Sequence, residues 1–273
     1  MQMDEEQRKA KIRETFNTVA EGYDSDALRF FPATAQLIAE SLRLRGDESV
    51  LDVATGTGNA ALALAGHLPR GRVVGVDFSS GMLERARGKA ESLNVQNVEF
   101  LERDMQSLGF SPGRFDAAVS SFGIFFVEQM EAQLTHIAES VKSGGRIAIS
   151  GFQENYFHPL RDLMLKRLTD YGVQTPPQSW KRIATEEGCR ELFRAAGFSD
   201  IRVEPRNVGY FLKDEEQWWD VIWNAGFRNL VNQMTPEDRE RFKREHLEEV
   251  AALTTAEGLW LDVGILITIG VKP

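Results

Sequence analysis

Val50-Leu-Asp52-Val-Ala54-Thr55-Gly56-Thr-Gly58-Asn59 is the stretch from which the fold is read: an apolar run, two glycines, and then the Ala/Leu-rich segment 60–68. An apolar run without alternation fits a parallel strand buried on both faces, the glycines a tight turn, and the segment beyond them a helix. Gly56 and Gly58 carry no Cβ, so the backbone can approach a ligand and take dihedrals that other residues resist. A helix starting here directs its free N–H groups and the positive end of its dipole at whatever lies over the turn.

Four further features follow at matching intervals. Val73-Val-Gly-Val-Asp77 is a second apolar run that ends in a carboxylate, 21 positions after Gly56. A doubly wound fold places there the acid that accepts hydrogen bonds from ribose hydroxyls. Strand-like runs recur at 98–104, ending in Asp104, at 115–121, and at 146–150 after the Gly144-Gly145 turn. The stretches between them have helical spacing, so the order is strand, helix, strand, helix, which predicts an α/β fold built on a mostly parallel sheet.

With Asp52-x-Ala54-x-Gly56-x-Gly58 in view, the region from about Val50 to Ser150 resembles a class I S-adenosylmethionine-dependent methyltransferase. The acid at the end of the first strand, ahead of the glycines, separates this pattern from nicotinamide-binding fingerprints. Ala54 within Val-Leu-Asp-Val-Ala is similar to the ubiquinone and menaquinone C-methyltransferases. The resemblance implies a Rossmann-like, doubly wound sheet of seven strands, with an antiparallel last strand between the fifth and sixth and a helical cap. It implies S-adenosylmethionine as cofactor, held by Asp52, Ala54, Thr55, Gly56 and Gly58, with Asp77 on the ribose and Phe78 and Met82 around the adenine. Asp104 followed by Met105 would meet the adenine amino group; alternatively, Asp104 caps the short segment 105–108. Tyr23, in Phe16-x-x-Val-Ala-x-x-Tyr23-Asp24, would lie near the methionine part, or else pack a lid helix.

The carboxyl end of the fourth strand, Ser120-Ser-Phe122-Gly-Ile-Phe125-Phe126, is expected to face the transferring methyl, with Ser120 and Phe122 beside the cofactor. Relatives often carry His where Phe125 and Phe126 stand, so no base carries over, and two rings suggest an apolar acceptor pocket. Asp116 lies at the start of that strand, away from the edge where ligands gather, and reads as structural. Beyond the fifth strand, Tyr156 and His158 are candidate acid/base residues, because loops leaving this edge build acceptor sites in α/β enzymes. Thr175-Pro176-Pro177 is expected to stiffen the middle of that insertion.

The implied organisation is an N-terminal helical lid (1–45), a cofactor-binding core (46–150), a cap insertion (151–185), core again (186–212), a helical cap insertion (213–258) and a final core strand (259–273). The second insertion opens with Asp214 and Gln217 in a capping-box pattern and carries Trp218, Trp219 and Trp223. Aromatic density at helical spacing is usually packing; here it is also a candidate wall for the acceptor. Thr235-Pro236 marks another helix start, and the charged stretch 239–249 reads as a solvated helix face. His136 is placed on the solvated side of the helix over 128–141.

At 273 residues and 42% hydrophobic, the chain can bury a full core. A formal charge of −9, with no basic cluster, argues against DNA or RNA as substrate. The hydrophilic start and the absence of a long apolar run predict a cytoplasmic protein without an integral membrane segment. The single Cys189 lies on an apolar helical face, and His67, His136, His158 and His246 have no second ligand at a useful spacing, so no metal site is expected.

The expected activity is methyl transfer to a small, largely apolar acceptor by in-line displacement, which needs positioning more than a catalytic residue. A nicotinamide-dependent oxidoreductase would share the glycines and Asp77, but Asp52, Asp104 and the lack of a Tyr-x-x-x-Lys pair count against it. A cofactor-binding protein without catalysis is the other alternative, since transfer by proximity leaves no signature whose loss would be visible.

Overall fold

The computed structural model describes residues 5–175 and 178–273; the Pro176-Pro177 pair lies outside the described residues. Contacts divide the chain into two compact units. A sheet unit comprises Phe30–Glu154, Ser179–Arg206 and Ile265–Pro273, and a helical unit comprises Met1–Arg29, Asn155–Gln178 and Asn207–Gly264.

The strands are β1 (Ser49–Val53), β2 (Arg72–Asp77), β3 (Val98–Glu102), β4 (Phe115–Ser121), β5 (Val141–Phe152), β6 (Ser199–Asn207), β7 (Tyr210–Leu212), β8 (Leu259–Leu261) and β9 (Gly264–Val271). Seven of them form one sheet in the order β3-β2-β1-β4-β5-β9-β6. β1 pairs in parallel with both β2 and β4, and β9 runs antiparallel to β5. This is the Rossmann-like arrangement with its last strand inserted between β5 and β6. Val50, Leu51, Asp52 and Val53 are all fully buried, as a strand covered on both faces requires. The core on one side joins Leu51, Val74, Ala118 and Ile147 to Leu134, Ile137 and Phe193 from the helices Met130–Glu139 and Glu186–Ala195.

The sheet order reverses between β1 and β4, so the loops beyond their carboxyl ends diverge and leave a crevice. Gly75 in β2 permits this packing near the turn: a Cβ there would lie 2.8 Å from both the Phe100 ring and the Thr55 hydroxyl.

The helical unit contains Glu5–Val19, Leu160–Asp170, Glu215–Trp223 and Pro236–Ala251, with β7 and β8 paired antiparallel. The helices at Glu215 and Pro236 start where their caps predict: Asp214 accepts from the Gln217 N–H and Thr235 from the Asp238 N–H. The charged stretch 239–249 is not wholly solvated, because Phe242, His246 and Leu247 are buried on its inner face.

Two expectations about elements are corrected. The run 259–271 is not one strand but β8 and β9, which belong to different sheets. Asp262 makes the break: its carbonyl accepts from the Phe157 N–H at 2.6 Å and its Oδ1 from Asn207 Nδ2 at 2.6 Å. Val141 begins β5 rather than ending a helix, and the irregular pairing between Phe115↔Val141 and Ala117↔Arg146 absorbs the Gly144-Gly145 turn.

Candidate functional site

β1, the turn behind it and the helix Asn59–Gly66 build the centre of the site in the sheet unit. The Thr55 N–H donates to the Val76 carbonyl and the Gly58 N–H to the Thr55 carbonyl, each at 2.9 Å, which closes the turn. Gly56 has φ +54° and Gly58 φ +81°, so both need the left-handed region. Their surroundings differ. A Cβ on Gly56 would meet nothing within 4 Å, whereas one on Gly58 would sit 2.9 Å from Cζ of Phe100 and 3.1 Å from Cβ of Ala86. Gly56 therefore leaves space for a ligand, and Gly58 lets the helix pack on the sheet. Ala54 also has a left-handed backbone, at φ +56°.

Asp52 is fully buried beneath the turn. Its Oδ2 accepts from the Thr55 hydroxyl at 2.5 Å, and its Oδ1 meets no donor at hydrogen-bond geometry. Burial pushes this carboxyl up to about 7; the Asp77 charge adds to the rise, and the Thr55 hydroxyl opposes it. Asp77 ends β2, where its Oδ2 accepts from the Gly56 N–H and its Oδ1 from the Ser79 N–H, both at 2.9 Å. Burial raises its pKa too, against those backbone donors. Ser79 caps the helix Ser80–Ser92 by accepting from the Met82 N–H, so Phe78 lies just ahead of the helix and buried Met82 at its start. Asp104 follows β3, half-buried, and accepts from the Gln106 N–H at 2.9 Å, which is the capping geometry. Gln133 holds the adjoining loop through the Met105 carbonyl at 2.7 Å.

The carboxyl end of β4 supplies the other wall. Ser120 is buried, and its Oγ has no partner. A Cβ on Gly123 would lie 2.7 Å from that Oγ and 2.8 Å from Cβ of Ala54, so only glycine lets the two loops touch. Phe122 has φ +54°, and its N–H donates to Ser150 Oγ at 3.2 Å; Ser121 and Ser150 pair through their hydroxyls at 3.0 Å. Its ring packs against Phe152 at 4.5 Å between centroids, Phe31 at 5.4 Å and Phe30 at 6.3 Å. Phe125 and Phe126 are half-buried with centroids 5.0 Å apart, and the Phe125 carbonyl accepts from the Ser179 hydroxyl at 2.7 Å. The sequence alone did not bring Phe30, Phe31, Phe152 and Ser150 to this edge. The available signal was the position of 150–152 at the end of the fifth strand.

Asp52, Ala54, Thr55, Gly56, Asp77, Phe78, Met82, Asp104, Met105, Ser120, Phe122, Phe125 and Phe126 thus share the sheet unit and its carboxyl edge. The remaining candidates belong to the helical unit. Tyr23 packs edge-to-face on Phe16, with centroids 6.2 Å apart. Tyr156 is buried, stacked parallel to Phe227 and covered by the Arg161 guanidinium at 4.3 Å; burial raises its pKa. A phenol raised in this way is a poorer base near neutrality. His158 is exposed, and its Nδ1 lies in hydrogen-bond contact with Asp162 Oδ2 at 2.8 Å on the surface. Trp218 is fully buried and donates its indole N–H to His246 Nε2 at 2.8 Å, which corrects the acceptor-wall reading for that ring: it packs the unit's interior. Trp219 is also buried, and stacks on Trp223 at 6.0 Å. His136 is not simply solvated either, since its Nε2 accepts from the Leu108 N–H at 3.3 Å.

Among the described residues no group of His, Cys, Asp or Glu could hold a metal ion, and no helix is long and apolar enough to cross a membrane. Cys189 is buried, and burial raises its thiol pKa.

Comparison with known proteins agrees with this geometry. Residues 50–145 match the methyltransferase domain family. The chain is 28% identical over 219 residues to the demethylmenaquinone methyltransferase of Lactococcus lactis, covering 73% of this chain and 86% of that one. It is 27% identical over 227 residues to the enzyme of the same name from Bacillus cereus, covering 77% and 94%. Among solved structures, the YcgJ protein of Bacillus subtilis aligns over 88% of this chain and 98% of its own, with TM-score 0.60 and 19% identity. A phosphoethanolamine N-methyltransferase of Haemonchus contortus, solved with phosphomonomethylethanolamine and S-adenosylhomocysteine, aligns over 100% of this chain and 61% of its own, with TM-score 0.58 and 15% identity.

Proposed function

We propose that this chain, which is a class I S-adenosylmethionine-dependent methyltransferase resembling the menaquinone subgroup, transfers the methyl group to a small, largely apolar acceptor by in-line displacement. The observation that carries the acceptor reading is the ring cluster of Phe31, from the helix Phe30–Ser41, with Phe122 and Phe152 from the ends of β4 and β5, beside the Ala54–Gly123 contact of the glycine turn.

The residues fit the cofactor: Gly56 faces open space, and Ser120 Oγ is a buried polar atom without a protein partner at the same edge. When bound, the cofactor supplies a methyl group already activated on a sulfonium. Asp77, held by two backbone N–H groups, would accept from the ribose hydroxyls; Phe78 and Met82 would flank the adenine, with Asp104 and Met105 at its rim. The carboxylate of Asp52, in its ionised form, would favour a cation over the turn. The phenylalanines would seat the acceptor and exclude water, and the Ser121–Ser150 hydroxyl pair would offer it a polar contact. Fixing acceptor, methyl and sulfur in line can lower a barrier by about 7–11 kcal/mol.

Nothing in the comparisons favours the oxidoreductase or the binding-only alternative. The test is turnover with radiolabelled S-adenosylmethionine and two acceptors, a demethylmenaquinol and phosphoethanolamine. Label transfer to the quinol and not to the amine is the expected result; transfer to phosphoethanolamine alone would refute an apolar acceptor.

A further inference from the structure

Two arginines of the helical unit stand against one indole. The Arg228 guanidinium lies 3.9 Å from the centroid of the Trp223 ring and that of Arg239 lies 5.1 Å from it. Like charges brought together this way ordinarily share a carboxylate. These two do not: among the described residues neither has an ion-pair partner. Arg239 donates through Nη1 to the neutral Asn232 Oδ1 at 3.3 Å, and Nε of Arg228 is buried without any partner. Burial, followed by the charge of Arg239, depresses the Arg228 pKa, and no acid contributes in the other direction. Several other cations of the unit are paired. Arg167 pairs with Glu245 and Glu249, Arg241 with Asp238, and Lys243 with Glu216.

Stacking on an indole fixes the plane of a guanidinium and leaves its N–H edge for ligands, and that fork matches the oxygens of a carboxylate or phosphate. A partly buried arginine whose charge is opposed by a second arginine is destabilising to the free protein, and the cost is offset when an oxyanion accepts from both. The chain's formal charge of −9 means that its overall field does not attract anions, so any anion affinity here is local.

We propose that Arg228, Arg239 and the ring of Trp223 form a binding site for a small-molecule oxyanion, a phosphate or carboxylate group. The ligand's oxygens accept from the two guanidinium edges, and the indole holds Arg228 in place.

Calorimetric titration of the full chain at physiological ionic strength, with inorganic phosphate, methyl phosphate and acetate as probes, tests this. Saturable binding of one anion per chain is expected. Binding of both phosphates but not acetate identifies a phosphoryl ligand, and binding of acetate as well identifies the wider oxyanion class. Arg228→Gln and Arg239→Gln should each weaken binding roughly tenfold or more, since a charge-assisted hydrogen bond is lost. Both variants should unfold at a temperature no lower than the wild type without anion, because each relieves the repulsion. A purely structural pair would give the opposite sign. Absence of saturable heat with all three probes, or equal binding by both variants, overturns the proposal.

Discussion

The backbone N–H of Gly56 donates to Oδ2 of Asp77 at 2.9 Å, tying the turn after β1 to the carboxylate that ends β2. This bond, and its twin from Ser79 to the other oxygen, orients the carboxylate at the crevice before any cofactor arrives. A preorganised acceptor of this kind spends less of its binding energy on ordering.

The two glycines of the turn should separate binding from stability. Gly56→Ala places a methyl in open space at φ +54°, so it should cost about 1 kcal/mol of stability. Its larger effect should be on affinity for S-adenosylhomocysteine, which should fall roughly tenfold or more because the methyl occupies ligand space. Gly58→Ala drives its methyl into Phe100 and Ala86, and should cost about 2–4 kcal/mol through left-handed strain and overpacking. Denaturant titration and calorimetry on both variants check this, and an inverted ranking would count against it.

Asp52 should make the sheet unit less stable as pH rises. Its folded pKa, near 7, lies above the ordinary 3.8, so between those values the native state keeps a proton that the unfolded chain releases. Wild-type stability therefore falls through this window, and the full loss is present above it. Asp52→Asn keeps an oxygen for the Thr55 hydroxyl but cannot ionise. Above about pH 8 it should exceed the wild type by on the order of 4 kcal/mol, a margin that vanishes toward about pH 4. Urea midpoints at several pH values measure it, and a pH-independent difference would contradict it.

His246 should act in the opposite direction in the helical unit. Burial lowers its pKa from 6.5 to about 4, although Glu249 partly opposes the fall, and the neutral ring accepts from Trp218. Its contribution is complete above about pH 6.5 and is lost as pH falls through about 4, amounting to about 3 kcal/mol. His246→Gln removes that titration. Its unfolding midpoint, followed by tryptophan fluorescence, should vary less between those pH values than the wild type's, and an equal slope in the two proteins would refute the assignment.

The sheet was legible because each cue was local. Four buried residues in a row at 50–53 mark β1, the glycines mark the turn, and the 21-residue step to Asp77 marks β2. The end of the chain was harder, because Leu259, Leu261, Val263 and Ile265 keep one apolar rhythm across the break. Asp262 falls between those positions and leaves the rhythm intact, and its role depends on Phe157 and Asn207, far away in sequence. The acceptor edge was half legible for a related reason. Phe122 could be placed from its strand, but the rings it meets come from positions 30, 31 and 152, which share no spacing with it. Trp218 misled for the converse reason: helical spacing gives the face of an element, not whether that face meets protein or ligand.

Calorimetric titration with S-adenosylhomocysteine and, separately, with NAD, on the wild type and on Asp77→Ala, tests the central claim most directly. The wild type should bind S-adenosylhomocysteine and give no heat with NAD, and the substitution should weaken binding by about 1.5–3 kcal/mol, the worth of hydrogen bonds to a charged acceptor. Binding of NAD in place of S-adenosylhomocysteine, or an undiminished affinity in Asp77→Ala, would contradict the account.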